Sequence, residues 1–448
     1  MTKTLQKKLN DSPVARWSVL IVVAFTMFCG YFITDVMAPL MDLLKDEFQW
    51  TPTEYGIFNM AYGWLNVFLF MLIFSGMVLD KLGARITGVF ACMLMIVGCG
   101  LKYYAVSQPF DGEIFGLRTQ VFIACAGFAV FALGLESASI TVTKVIVRWF
   151  KGYEMALAMG IQVAVARLGT ALAMSTTIPL AQHFKSLSAP ILLGLGALCI
   201  GLIVYLVFCV MDKKLDKSSI GTEEKKEEPF RLKDIGFIVT NKGFWLIAML
   251  CVLFYSAVFP FLKYATSLMI NKYHVAPELA GNIPAILPFG TILLTPLFGG
   301  IYDKKGKGAT IMIIGSAMLI AVHAMFSLPA LNIWWFASAL MIFLGIAFSL
   351  VPSAMWPSVP KIIPENKLGT AYALIFWVQN IGLSLVPLLI GWVLDKYCTI
   401  TEGDSSRFDY TLPMIIFTCF GLLALCTALL LKREDRIKGY GLEKPNIK

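Results

Sequence analysis

The segment GMVLDKLG, residues 76–83, closes one long apolar run, and GGIYDKKG, residues 299–306, closes another. Each places Gly where a tight turn between helices needs it. Each also carries an acid, Asp80 or Asp303, that can face the positive N-terminal end of a neighbouring helix. An ordinary interhelical turn accounts for one copy. Two copies at matching places point to one unit built twice.

Reading outward from the two copies, the chain is a series of membrane spans. Of its 448 residues, 58% are hydrophobic and 15% charged, outside the range of a soluble domain. Runs of about 20 nearly uncharged residues, enough to cross ~30 Å of hydrocarbon as helix, occur near 17–42, 54–79, 86–105, 118–147, 154–181, 189–211, 243–268, 280–301, 309–328, 332–356, 368–394 and 411–431. Helices are expected because backbone polar groups in lipid must be satisfied within their own segment. The first run is too long for a signal-peptide core and is read as a retained span. The only long hydrophilic interruption, 212–242, divides the spans into six and six. The expected organisation is therefore a segment 1–16, a six-helix bundle 17–211, a linker 212–242, a second six-helix bundle 243–431 and a tail 432–448. Each copy of the quoted motif closes the second span of its half.

Basic residues set the orientation. Lys and Arg number 27 in the two terminal segments and the loops on their side, against 7 on the opposite side. By the positive-inside rule both termini are cytoplasmic, and the +9 formal charge needs no nucleic-acid partner. Nine of the ten Cys fall in apolar spans and Cys398 lies alone in a loop, so no disulfide framework is implied. His183, His274 and His323 lack companions at ligand spacing, and neither metal nor cofactor is expected.

G-x-x-x-D-[RK]-x-G after spans two and eight resembles the signature loop of the major facilitator superfamily. The resemblance implies an all-α membrane protein with twelve transmembrane helices in two pseudo-symmetric bundles that rock about a midplane site. It makes Asp80, Arg85 and Asp303 gating or structural residues. Pro39, Pro260, Pro288, Pro296, Pro352 and Pro357 fall inside spans and are expected to kink them.

Charges inside the membrane are costly and mark function by default. Glu136 lies 12 residues before Arg148 in span four, and Arg167 lies 13 residues after Glu154 in span five. At 1.5 Å per residue both sit roughly 18–20 Å deep, on antiparallel neighbours. A buried ion pair locking the two spans is one reading. The other is a cavity for a zwitterion, with Glu136 accepting from an ammonium group and Arg167 gripping a carboxylate. Asp35 and Lys263 lie near the outer ends of spans one and seven. They are expected either to pair as an outer gate or to reach interfacial water separately. Lys144 either snorkels to the cytoplasmic face or takes a gate role.

The run from Gly134 to Thr170 carries G-L-E-S, W-F-K-G-Y-E and Q-V-A-V-A-R-L-G, which resembles the lysosomal dipeptide transporter branch of the superfamily. Further matches are Tyr62-x-Trp64-x-Asn66, Tyr255 to Phe261, Trp356-Pro357, Pro364 to Tyr372 and Gln379 to Leu383. The resemblance makes Glu136 the partner of a peptide amino terminus and Arg167 the partner of its carboxylate. It also puts Gln162, Gln379 and Asn380 among the substrate contacts. Tyr62 and Trp356 are expected as cavity aromatics, with helix packing as the alternative. Where many relatives carry a basic residue early in span four, this chain has Phe128.

The expected function is a secondary transporter of dipeptides or similar small zwitterions, by uniport or with protons, with the lipid membrane as its setting and the monomer as its unit. No G-x-x-x-x-G-K-[ST] appears, so ATP is not expected to drive it. The alternative is an organic anion or sugar-phosphate carrier, but Glu136 beside Arg167 repels such a substrate. No nucleophile–base pair indicates an enzyme. No acidic dileucine stands in either tail, so a bacterial-type plasma membrane is expected over a lysosomal one.

Overall fold

The computed structural model describes residues 9–150, 153–218, 232–364, 367–402 and 405–446. Eleven helices in it are long and apolar enough to cross a membrane. The twelfth span emerges at a conformational break. The helix Met71–Ser107 is interrupted at Gly83, whose φ of 77° and ψ of 168° suit only glycine. Residues before it finish span two and residues after it form span three. Gly306 repeats this at the end of span eight with φ 68°. The two quoted motifs therefore both end on a glycine with positive φ.

Span one is Pro13–Asp35, span four Thr119–Phe150, span five Met155–His183 and span six Ala189–Ser218. The second half comprises Lys242–Asn271, Asn282–Lys305, Gly308–Ser327, Trp334–Ile362, Leu368–Tyr397 and Thr411–Lys438. Large apolar side chains such as Ile21, Ile203 and Leu293 point outward from these helices, as a lipid solvent requires.

Three expectations need correction. Span two is not one helix over 54–79: it runs as Pro52–Met60, Tyr62–Asn66 and the start of Met71–Ser107, with Phe70 in the left-handed region at φ 54°. Pro39 does not kink span one. That helix ends at Asp35, and Pro39 lies in the 3-10 turn Ala38–Leu40 beyond it, whereas Pro260, Pro288, Pro296, Pro352 and Pro357 do lie inside helices. The stretch 212–242 is not linker throughout, since span six continues to Ser218 and Leu232–Val239 is helical. Charged residues there extend the helices into water past the hydrocarbon. Residues 219–231 of that stretch lie outside the described residues.

Spans three and four pack closely because their glycines admit backbone. A Cβ on Gly127 would lie 2.8 Å from the Gly98 carbonyl oxygen, and one on Gly134 would lie 2.7 Å from that of Ala91. This contact fixes the helix that bears Glu136. Span one packs on spans five and six, and span seven on spans eleven and twelve.

The first and last described segments lie at one face of the bundle. Arg16 pairs with Glu154 at 3.1 Å, Arg85 with Asp216 at 2.7 Å and Lys242 with Glu434 at 2.9 Å, while Asn446 donates to Asp303 at 2.7 Å. Each of these contacts stays within one half. At the opposite face the halves are joined. The outer segment of span two packs on span eleven, and span five packs on span eight. Thr53 donates to Asp395 at 2.5 Å, Asn271 to Asp42 at 2.9 Å and Lys45 to the Ser406 carbonyl at 2.7 Å. A Cβ on Gly56 would meet Pro387 O at 2.8 Å across this seam. The halves are thus sealed together at the far face, while the terminal-face pairs named above leave each half tied to itself.

Candidate functional site

Glu136 and Arg167 occupy the middles of their helices. Glu136 is 14 residues from the end of span four, and Arg167 is 12 residues into span five, or roughly 21 Å and 18 Å of helix. Both lie deep in the molecule, yet both retain accessible surface. Residues that line an internal space show this combination.

The two charges do not pair with each other. The Glu136 carboxylate accepts a 2.6 Å hydrogen bond from the Tyr62 hydroxyl. Arg167 has no carboxylate within ion-pair range among the described residues. Aromatic rings surround it instead: Phe259 at 5.1 Å, Phe348 at 5.5 Å and Tyr31 at 6.0 Å from the guanidinium carbon. Rings near the guanidinium shield it from bulk water without consuming its donors. Spans one, five, seven and ten, from both halves, thus converge on this cation. Tyr31 also lies within electrostatic reach of Glu136. Tyr31 was not expected from the sequence, because an aromatic residue in an apolar run gives no signal of its own; Phe259 lies in the matching stretch Tyr255 to Phe261 but was given no site role.

Tyr62 owes its position to the break in span two. The five-residue helix Tyr62–Asn66 turns its first residue toward span four, where its ring also meets Phe128 edge-on at 5.5 Å. In the other half, Trp356 donates to the Tyr255 hydroxyl at 3.0 Å and stacks on Phe376 at 4.7 Å. Tyr255 in turn packs against Phe348, so Trp356 reaches the surroundings of Arg167 through two rings.

The remaining candidates are more dispersed. Gln162 is half-buried, and no hydrogen bond links it to either charge among the described residues. Gln379 is buried and accepts from Cys251, and the Asn380 amide donates to the Phe376 carbonyl of its own helix at 2.9 Å. Both therefore face packed protein. Lys144 pairs with Asp80 at 2.6 Å at the terminal face, with both side chains well exposed. Arg85 pairs with Asp216, and Asp303 holds the Asn446 amide.

Asp35 and Lys263 meet at 2.6 Å across the sealed end, with side chains 12% and 15% exposed. Lys263 Nζ also donates to the Thr34 carbonyl at 3.1 Å. Of the two alternatives drawn from the sequence, the contact is the one formed. One intramembrane charge was missed altogether. Lys102 in span three is fully buried, donates to the Ile33 carbonyl at 2.8 Å and lies over the Phe128 ring at 4.5 Å. Its nearness to the end of an apolar run let it pass as a loop residue.

Two six-helix halves, joined at one face and bearing two mutually unpaired opposite charges halfway along their helices, have the architecture of a secondary transporter rather than an enzyme. The profile of the Major Facilitator Superfamily matches residues 22–387, and the chain belongs to that family. It is similar to the lysosomal dipeptide transporter MFSD1 of Homo sapiens, 28% identical over 440 residues that cover 95% of this chain and 88% of that protein. It is 29% identical over 439 residues to MFSD1 of Mus musculus, with the same coverage. Among solved structures, the nucleoside transporter NupG superposes with a TM-score of 0.72 at 14% identity, covering 93% of this chain and 99% of that one. A bacterial homologue of the lysosomal transporter Spinster gives 0.70 at 13% identity, covering 94% and 98%. At such identities these two likenesses concern the fold alone.

Proposed function

We propose that the protein moves dipeptides or similarly small zwitterions across its membrane by alternating access. Glu136 would receive the substrate ammonium and Arg167 its carboxylate. The observation that carries this reading is that two opposite charges share one depth without pairing, each keeping accessible surface. A buried ion pair kept only for stability would close on itself, because an unpaired charge in a low-dielectric interior is costly. A site awaiting a ligand with both charges leaves them apart. The names of the MFSD1 relatives support a dipeptide as the cargo.

Glu136 and Asp35, the acids that the sequence places within spans four and one, are the candidates for proton coupling. The terminal face is proposed to be cytoplasmic, on the 27-to-7 distribution of basic residues. In that orientation the structure is inward-facing. A bacterial-type plasma membrane is proposed as its setting, alongside the lysosomal address printed for the relatives, and a fluorescent fusion expressed in its native cell would decide between them.

Purified protein in liposomes tests the reading. Labelled dipeptide uptake is expected in wild type and lost in Glu136→Gln and Arg167→Ala. An imposed pH gradient accelerates uptake only if protons are coupled. Wild-type rates in both variants would overturn the site, and a response to sugar phosphates alone would overturn the substrate class.

A further inference from the structure

The last helical turn of span one gathers two ammonium groups from different halves. Lys102, in span three of the same half, donates to the Ile33 carbonyl at 2.8 Å. Lys263, from span seven of the other half, donates to the next carbonyl, Thr34, at 3.1 Å and pairs with Asp35 at 2.6 Å. Asp35 and Lys263 both lie within electrostatic reach of Lys102. The attraction has two sources, the Asp35 carboxylate and the unsatisfied carbonyls at the negative end of the helix.

At the end of span one, among the described residues, two cations thus gather on one anion, an imbalance that makes sense once the halves move. Lys263 travels with the second half when this face opens. Asp35 stays with the first half and loses the partner that neutralises it. While the faces begin to part, Asp35 has lost its ammonium partner and is not yet hydrated, so a second cation held beside it lowers the cost of that step. Lys102 is the one cation already in place. It is fully buried, it belongs to the half that keeps Asp35, and its present acceptor lies two residues, about 3 Å of rise, from Asp35. An ammonium has three donors. One is engaged by Ile33, while the rest of the group faces the rings of Phe128, Phe131 and Phe58 at 4.5, 5.3 and 5.7 Å. Those rings hold the charge by cation–π attraction without engaging its N–H groups in conventional hydrogen bonds.

We propose that Lys102 is the counter-ion that Asp35 takes up when the far faces of the two halves part, which makes it a positioning residue for the opening step. The inference rests on the alternating-access reading given above. Lys263 and Lys102 exchange Asp35 between them. The first closes the seal, and the second stabilises the opened half.

The test uses full-length protein in lipid nanodiscs, with exposed Cys199, Cys419 and Cys426 changed to Ser and spin labels at Gln108 and Asn332, exposed positions in far-face loops of the two halves. Asn271→Ala removes the contacts to Asp42 and Phe408 and so raises the population with far faces apart, without touching Asp35. In that background Lys102→Gln, which can still donate to Ile33 but carries no charge, is expected to lower the open population by at least about tenfold. Lys102→Arg is expected to leave it near its starting value. Adding Asp35→Asn is expected to abolish the effect of Lys102→Gln, as a direct coupling requires. The Lys102 role is overturned if the open population ignores Lys102→Gln, or if the effect survives undiminished in Asp35→Asn, which would mark Lys102 as packing only. A single unchanging label separation in every variant, Asn271→Ala included, would instead overturn alternating access at this face.

Discussion

If Glu136 and Arg167 read opposite ends of a zwitterion, each variant should erase discrimination at one end and leave the other intact. A hydrogen bond to a charged group contributes about 1.5–3 kcal/mol net. With 1.4 kcal/mol per tenfold, wild type should prefer a free dipeptide over its C-terminal amide by about tenfold to about a hundredfold, and over its N-acetyl form by a similar factor. The upper end is expected for the carboxylate. The Arg167 guanidinium, lying among Phe259, Phe348 and Tyr31, has no competing carboxylate among the described residues and offers a planar fork. The lower end is expected for the ammonium, because Glu136 already accepts from Tyr62 at 2.6 Å and keeps that bond when a ligand arrives. Competition against labelled dipeptide, with ligand-induced shifts in melting midpoint as a second readout, gives all the affinities required. Arg167→Ala should bind the acid and the amide alike while still rejecting the N-acetyl form, and Glu136→Gln should do the reverse. Loss of both discriminations in either variant would mean that it disrupts the cavity generally. Retained discrimination against the amide in Arg167→Ala would refute the assignment of that residue.

Further outcomes follow from geometry away from the site. Gly83→Ala and Gly306→Ala each force a side chain into a glycine-only backbone region and should cost about 1–3 kcal/mol. The second should cost more, because its Cβ would stand 2.6 Å from the Lys444 carbonyl carbon while Gly83 has open space; paired melting curves read the difference. Asp212, nearly buried and gripped by Arg148 at 2.9 Å and by the Trp149 indole at 3.1 Å, should lower stability by about 3–5 kcal/mol on change to Ala, measured by thermal inactivation of binding. Lys144→Met should cost under about 1 kcal/mol by the same assay, since the Lys144–Asp80 pair is exposed on both sides. Trp356→Phe should cost about 1 kcal/mol through loss of the bond to Tyr255, with the aromatic stack preserved and visible as a retained melting transition.

The fold was legible because its signals are coarse and repeated. Apolar length reports a span whatever it packs against, and the two glycine motifs carry a backbone requirement that both Gly83 and Gly306 turn out to meet. The depth of Glu136 and Arg167 could be counted along straight helices. The break in span two could not, because Phe68, Leu69 and Phe70 are as apolar as their neighbours and only tertiary contacts select the left-handed turn at Phe70. Lys102 escaped for a related reason: a lysine five residues before a helix end looks solvated until the end of span one is seen presenting the Ile33 carbonyl to it. Gln379 is a polar residue in a matching motif, and its contact with Cys251 on span seven is likewise set by packing that the sequence does not show.

The short helix Tyr62–Asn66 has one more implication. Five residues cannot hold a helix by their own hydrogen bonds, so its orientation is borrowed from what it leans on. Span four is one support, through Phe128. Span eleven of the other half is the second, where Ser384 fills the hollow left by the missing side chain of Gly63 and the Trp377 indole donates to the Val67 carbonyl at 3.1 Å. The phenol that donates to Glu136 is thus held in place by both halves at once, by Phe128 on one side and by Ser384 and Trp377 on the other.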